Sequence, residues 1–397
     1  MKVTLSLTHK CNLACRYCYA GRSTKPDMSP ATARKCVDFG LETLPAGKNL
    51  GLGLFGGEPL LRFDLVRDIT AYAYRKAAEK QKPVRINITT NGTLVTPAVI
   101  DFAADQRVDL CFSIDGPPDL HDRNRTYRNG YGSFAEVMGP LELARKRLST
   151  MEVNAVFGPD TIMEIPRCLR FFVDSGISVI HFNPDITATW PDYLRPRLQD
   201  VYTQIAEFYI GCYLQGHEIA VNLLDSKMLL FIKGGYAATD KCTMGDGEWG
   251  FAPSGNIYPC ERFIGEDENS PFYLGNIHTG LDLERRCALQ LKRGNHNPEC
   301  LVCGFRKYCI NWCGCTNYFM SGQSDMAAPM LCAMEQATIR AAQQVFDSLV
   351  NAGNELFTEH MYNYVNAGIH HRCGDDIYSP GGGQDEPETQ LEGRSHL

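Results

Sequence analysis

The sequence predicts an α/β protein: a partial (β/α)6 TIM-like barrel followed by a small cysteine-rich α+β domain. Three observations predict it. Short apolar segments ending in Gly, Asn or Pro alternate with helix-period segments through residues 1–216. The residues least expected of a core, in "THKC", "FGGEP", "TTNGT", "SIDGP" and "HFNPD", all follow directly from those apolar segments. From about residue 240 the texture changes to short, glycine-rich, cysteine-dense stretches.

The strand candidates are "VTLSLTH" (3–9), "LGLGLFGG" (50–57), "VRINITTNG" (84–92), "VDLCFSIDG" (108–116), "MEVNAVFG" (151–158) and "SVIHFNPD" (178–185). Between them lie helical patterns at 63–80 and at 133–148, the latter with Ser133 as its N-cap. A long helix is expected over 194–216 and another over 334–353. Such alternation implies parallel strands joined by right-handed crossovers. A closed barrel has eight units, so six predict an open partial barrel or a doubly wound sheet. Both place functional groups at the C-terminal ends of the strands. The expected organisation is a barrel over 1–216, a linker or bridging region over 217–239, a cysteine-rich domain over 240–335, a helical region over 336–373 and a disordered tail over 374–397.

The chain has 397 residues, 44% of them hydrophobic and 21% charged, the composition of an ordinary globular protein. A formal charge of −7 argues against a general nucleic-acid or anionic-membrane surface. There is no signal peptide and no apolar run of about 18 residues, so a cytoplasmic location without a membrane span is expected. In a reducing compartment 17 cysteines are out of place as disulfides, and their grouping points to metal or redox chemistry.

Cys11, Cys15 and Cys18 follow the first strand in the pattern C-x3-C-x2-C. Three thiols with no fourth nearby suit a [4Fe–4S] cluster held through three irons, the fourth iron left free for a ligand. The alternative is a zinc site completed by a distant residue.

These residues resemble the radical S-adenosylmethionine (SAM) superfamily, whose signature is C-x3-C-x-aromatic-C, with Tyr17 as the aromatic. The resemblance implies that the free iron chelates SAM and that reduction yields a 5′-deoxyadenosyl radical. Gly56, Gly57 and Glu58 match the GGE motif of that family, whose backbone and glutamate receive the SAM amino group. Ser113 matches the segment that contacts the ribose. Arg125 is a candidate for the SAM carboxylate, which a guanidinium fork suits, or else a solvated surface arginine. Asn91 reads as a site residue or a turn residue.

The second cysteine set resembles the SPASM extension of radical SAM enzymes. Cys242, then Gly255 and Cys260, then Cys300, Cys303, Cys309 and Cys313 in C-x2-C-x5-C-x3-C spacing, and finally Cys332, match its seven cysteines. The resemblance implies two auxiliary [4Fe–4S] clusters, one held by Cys300, Cys303, Cys309 and Cys332, the other by Cys242, Cys260 and Cys313. Members with a complete set carry a further cysteine shortly before the first, but "GGYAATDKC" (234–242) has none. The second auxiliary cluster is then open, or completed by Asp240, by Cys315 or by substrate. Zinc knuckles are the alternative. Packing roles are expected for most of Cys36, Cys111, Cys168, Cys212, Cys287 and Cys373.

Enzymes of this kind mostly act on peptides or proteins. The first expectation is a maturase installing a thioether or carbon–carbon cross-link in a ribosomally made peptide, since an open cluster would accept a substrate thiolate. The alternative is an anaerobic sulfatase-maturing, formylglycine-generating enzyme, in which Glu261 stands where that group has an aspartate base. Glu261 has its own alternative, an ion pair with Arg262. The first strand begins near residue 3, leaving no room for a leader-peptide-binding domain ahead of it. A separate leader-peptide-binding protein, or a protein substrate docked on the barrel, is expected instead. A low-potential reductant of flavodoxin or ferredoxin type completes the expected partners. Outside this class, the alternatives are a non-catalytic iron–sulfur electron carrier and a zinc-stabilised binding module.

Overall fold

The computed structural model describes residues 1–21, 25–149, 151–242, 244–291 and 297–366. Six strands follow the expected segments closely: β1 (Lys2–Ser6), β2 (Leu50–Phe55), β3 (Val84–Thr90), β4 (Asp109–Ser113), β5 (Glu152–Phe157) and β6 (Val179–Pro184). The sequence stretches that overran them, such as "TH" after β1 and "GG" after β2, are the loops that build the site. Three further short strands are β7 (Ala220–Val221), β8 (Glu248–Phe251) and β9 (Ile257–Tyr258).

All nine form one sheet in the order β7-β6-β5-β4-β3-β2-β1-β8-β9. The first six strands are consecutive neighbours with no reversal of order, and every pair among them is parallel. A doubly wound sheet would reverse direction at a switch point. The sheet is therefore an open, partial barrel, and its C-terminal strand ends converge on one rim. β10 (Gly275–Asn276) and β11 (Gly280–Leu281) form a small separate antiparallel pair.

Crossover helices cover the outside: α1 (Pro30–Thr43), α2 (Phe63–Glu79), α3 (Pro97–Gln106), α4 (Pro118–Asn124), α5 (Phe134–Arg147), α6 (Ile165–Asp174) and α7 (Leu198–Leu214). Two start where a hydroxyl precedes a proline. The Ser29 side chain accepts from Thr32 N at 3.1 Å ahead of Pro30, and Thr96 accepts from Val99 N at 3.4 Å ahead of Pro97. Ser133 stands at the N-cap of α5 but does not cap it. Its hydroxyl donates to Arg125 O at 2.9 Å, and Asp122 Oδ1 takes the helix's free Phe134 N–H at 2.8 Å. The local hydroxyl lost to an aspartate brought from α4.

Residues 217–239, expected as a linker or bridging region, are built into the body of the protein. β7 extends the sheet beside β6, and α8 (Asn222–Lys233) packs on α12 (Pro329–Asn351). The cysteine-rich region likewise shares the sheet, because β8 pairs in parallel with β1. Its helices are α9 (Leu283–Leu291), α10 (Pro298–Leu301) and α11 (Gly314–Ser321). α12 spans the boundary expected at residue 335, and α13 (Glu355–Asn366) closes the described chain. The expected tail and Cys373 lie outside the described residues. No described helix is long and apolar enough to cross a membrane.

Among the described residues two apolar clusters hold the fold. The large one joins the strands, the crossover helices, α8, α12 and α13. The small one gathers Cys242, Cys260, Cys313 and Cys315 with Met244, Phe263, Phe272 and Trp312. Cys36, Cys111, Cys168 and Cys212 are buried packing groups, whereas Cys287 is exposed on α9.

α13 is tied down by charge. His360 Nε2 meets Asp225 Oδ1 at 2.6 Å and its Nδ1 meets Glu218 Oε1 at 3.0 Å. Burial alone would lower this imidazole, but Asp225 and Glu218 outweigh it and raise it to about 9. A folded-state value above the ordinary histidine range stabilises the fold fully below about pH 6.5. That contribution is lost as pH rises through about 9. Wild type is therefore expected to lose melting temperature between pH 7 and 9.5 relative to His360→Gln, in which the two carboxylates keep a neutral partner. Parallel pH profiles for the two proteins would rule the linkage out.

Candidate active site

The rim of strand ends encloses a cavity lined by Cys11, Cys15, Tyr17 and Cys18 after β1, Gly56 and Gly57 after β2, and Thr90 and Asn91 at the end of β3. Ser113 of β4, Arg125 after α4, Asn154 of β5 and Asn183 of β6 complete it. Six separate strand ends thus deliver side chains to one space.

The two glycines earn their positions by backbone approach. Gly57 N donates to Thr8 O at 2.7 Å and Glu58 N to Lys10 O at 2.9 Å, docking the loop on the segment that leads into Cys11. A Cβ on Gly57 would lie 2.2 Å from Lys10 O, and one on Gly56 (φ +138°) 2.5 Å from Thr8 O. Gly57→Ala is therefore expected to displace the Cys11 segment and reduce iron incorporation at the first cluster severalfold. Iron per chain measured after reconstitution checks this.

Glu58, expected to receive the SAM amino group, turns inward. Its carboxylate is fully buried and accepts from Leu60 N at 3.0 Å, Thr90 Oγ1 at 2.7 Å and Asn91 N at 2.8 Å. Burial pushes it up to about 7 against the pull of those donors. Its side chain joins the β2 loop to the end of β3, leaving only the glycines of the motif on the cavity wall. Asn91 is then more than a turn residue. Its Nδ2 donates to Asn12 Oδ1 at 2.9 Å and approaches Cys11 Sγ at 3.7 Å.

Arg125 is not a surface arginine. Its side chain is 7% exposed, and its Nε donates to Asp115 Oδ1 at 3.0 Å. Asp115 Oδ1 also accepts from Val156 N at 3.0 Å, and its Oδ2 from the Tyr17 hydroxyl at 2.6 Å. The guanidinium lies 5.3 Å from the Tyr17 ring centre. Burial opposes the Arg125 charge, but Asp115 outweighs it and raises the guanidinium further. Asp115 was the residue sequence reasoning missed, although it stands two places after Ser113 in the quoted "SIDG". One carboxylate locks the aromatic of the cysteine motif to the arginine beside it.

The first three thiols fit an iron–sulfur core. Burial pushes Cys11 up to about 12, partly offset by Leu13 N, which donates to its Sγ at 3.4 Å. Burial raises Cys15 as well, with Arg125 opposing it. Metal binding would release their protons, and these donors would then face thiolate sulfur. Among the described residues no three ligating side chains are drawn close enough to grip a single ion. A cubane cluster spreads its thiolates more widely than one ion does.

A second cavity abuts the first. Asn183, Pro184, Ile186 and Arg262 line both. The second is walled by Phe157, Phe182, Tyr202 and Tyr236, and reaches Cys313 and the Lys227–Glu335 pair. That pair is buried, at 2.7 Å. Lys227 Nζ donates to Tyr308 O at 3.1 Å and Glu335 accepts from Ile310 N at 2.8 Å, fastening the loop that carries Cys309 to α12. Asn297 Nδ2 donates to Ala327 O at 3.1 Å, bringing α10 with Cys300 to the start of the same helix, which carries Cys332. Glu261 lines neither cavity; its Oε2 lies 3.6 Å from Cys260 Sγ. Its neighbour Arg262 instead reaches Thr316 Oγ1 at 3.3 Å and Cys315 Sγ at 3.6 Å. Asp240, considered as a cluster ligand, is committed to Lys233 Nζ at 3.1 Å and Ala237 N at 2.9 Å.

Residues 5–172 match the family described as the radical SAM superfamily. Those residues are a radical SAM domain, the domain of an enzyme, and that domain implies a [4Fe–4S] cluster and SAM. It is 25% identical over 199 residues to an uncharacterized protein of Methanocaldococcus jannaschii, spanning 64% of that protein. It is 23% identical over 330 residues to a cysteine-type anaerobic sulfatase-maturating enzyme of Clostridium novyi, covering 76% of this chain and 84% of the relative. The radical SAM cyclopropyl synthase TigE of Paramaledivibacter caminithermalis is 23% identical over 341 residues, 78% and 67% of the two chains. The solved structure of native anSMEcpe with AdoMet and a peptide bound superposes with a TM-score of 0.74 at 18% identity, covering 89% of this chain and 99% of that one.

Proposed function

We propose that this enzyme is a peptide or protein maturase with three [4Fe–4S] clusters: one at Cys11, Cys15 and Cys18, and two auxiliary ones in a SPASM-type region. The observation that carries this reading is the junction of the two cavities. A substrate residue in the second cavity has the first cluster's thiols on one side and the Cys313 thiol on the other, with Arg262 between. A [4Fe–4S] cluster held by Cys11, Cys15 and Cys18, with SAM bound to it, would supply the radical chemistry that removes hydrogen from the substrate. The chain's residues do the rest. The glycine loop, Ser113 and the Tyr17–Asp115–Arg125 unit hold and orient the cofactor, and the aromatic walls of the second cavity exclude water from the substrate residue.

Similarity to anaerobic sulfatase-maturating enzymes supports formylglycine formation from Cys or Ser as the reaction to test first. Cross-link formation, thioether or carbon–carbon, is favoured by one feature. Glu261 faces Cys260 and lines neither cavity, so the position of the base used in formylglycine formation is not presented to substrate. Co-expression with cysteine-containing peptides, followed by mass spectrometry, separates the two. A cross-link removes two hydrogens and keeps the sulfur; formylglycine replaces the thiol by an aldehyde. Unmodified peptides across a sulfatase-motif peptide and a panel of cysteine-rich precursors would count against both. The partners proposed with this reading are a flavodoxin- or ferredoxin-type reductant and either a separate leader-binding protein or a protein substrate docked on the barrel.

A further inference from the structure

The auxiliary cluster assigned to Cys242, Cys260 and Cys313 lacks a fourth thiolate in the matched cysteine set. Cys315 supplies a thiol at that place. It is 3% exposed, its Sγ lies 3.4 Å from Cys313 Sγ, and it hydrogen-bonds with the Cys260 thiol. Four thiols, from three distant stretches of chain, therefore share one small core.

The backbone around Cys315 is shaped for this. Cys313 is the N-cap of α11 and Cys315 lies in its first turn, where free N–H groups and the helix dipole favour negative charge. The residue between them is glycine, which lets the Met244 side chain pack close. A Cβ on Gly314 would stand 1.9 Å from Met244 Sδ, and Met244 N donates to Cys242 Sγ at 3.5 Å. The close approach of Met244 to Gly314 is what brings the Cys242 strand of chain against the Cys-Gly-Cys turn. Arg262 Nη1, 3.6 Å from Cys315 Sγ, places a cation beside a group that four thiolates would leave negative.

We propose that Cys315 is the fourth thiolate of the auxiliary cluster held by Cys242, Cys260 and Cys313, so that this cluster is closed by the chain itself. The proposal rests on the three-cluster reading above. It has a consequence for the reaction: a closed cluster offers no iron to a substrate thiolate, so the substrate residue is held by the walls of the second cavity and not by the metal. The rival ligands are two carboxylates, Glu261, whose Oε2 lies 3.6 Å from Cys260 Sγ, and Glu248, whose Oε2 lies 3.9 Å from Cys242 Sγ.

The test uses the full chain with Cys11, Cys15 and Cys18 replaced by alanine, so that only auxiliary clusters contribute. Into this parent go Cys315→Ala, Cys315→Ser and, as comparators, Glu248→Gln and Glu261→Gln. After anaerobic reconstitution the parent should hold about eight irons, and its reduced electron paramagnetic resonance spectrum should ignore added 2-mercaptoethanol. Cys315→Ala should keep the other cluster, give a three-iron signal on mild oxidation, and respond to the added thiol. Complete loss of one cluster in Cys315→Ala supports the proposal if Cys315→Ser regains it with a shifted spectrum. Loss in both variants also supports it, because serine keeps the volume but not the thiolate; if Cys315→Ser regains the cluster with the parent's spectrum, the thiol is only packing and the proposal falls. It also falls if Cys315→Ala matches the parent, or if Glu248→Gln or Glu261→Gln alone opens the cluster. About eight irons with an unchanged variant would sink Cys315 alone, whereas a parent with no iron would sink the three-cluster reading too.

Discussion

Replacing Cys11, Cys15 and Cys18 together by alanine is expected to lower the reconstituted chain from about twelve irons to about eight and to abolish SAM cleavage. The three residues lie in one loop that follows β1, line one cavity with the glycine loop of β2, and are partly exposed there, whereas the cysteines of the second apolar cluster are buried. The two sets are anchored separately. Removing the first should therefore leave the fold and the auxiliary iron in place, with unchanged far-ultraviolet circular dichroism. Loss of all iron in the triple variant would mean that the sets are not independent. Retention of about twelve irons would mean that these thiols hold no cluster.

The second large effect is expected at Asp115. Its carboxylate is 2% exposed and accepts from Arg125 Nε, the Tyr17 hydroxyl and Val156 N. Asp115→Ala leaves a buried guanidinium without its counter-charge, which costs about 3–5 kcal/mol in comparable buried pairs. It also frees Tyr17 and Arg125 to move out of the cavity wall. Urea denaturation should show the destabilisation. Asp115→Asn, which keeps the shape but not the charge, should be milder in stability yet still weaken SAM binding. An Asp115→Ala protein within about 1 kcal/mol of wild type would show that the pair is not held dry.

The legible parts of this protein were those written in local periods. Strands β1 to β6 were recovered within a few residues because each is an apolar run ended by Gly, Asn or Pro. The site's location followed from them, since Cys11, Gly56, Asn91, Ser113 and Asn183 all stand just at or beyond strand ends. What was not legible depends on contacts made across the fold. Glu58 follows two glycines in a ligand-binding motif, yet buried donors from the next strand claim its carboxylate. Arg125 reads either as a partner for the SAM carboxylate or as a surface residue, and only the fold shows it buried and paired with Asp115. β7 is too short to show a period, and only its pairing with β6 makes residues 217–239 part of the body. Glu261 and Arg262 are adjacent in sequence, but the short helical turn at Glu261–Phe263 sends them to different places, one to Cys260 and the other to the cavity junction.

The measurement that bears most directly on the account is the formation of 5′-deoxyadenosine by the reconstituted enzyme given SAM and dithionite under anaerobic conditions. The account predicts its formation by wild type, and none from the Cys11/Cys15/Cys18→Ala variant at equal auxiliary iron. A fully loaded wild-type chain that binds iron but never cleaves SAM would contradict it.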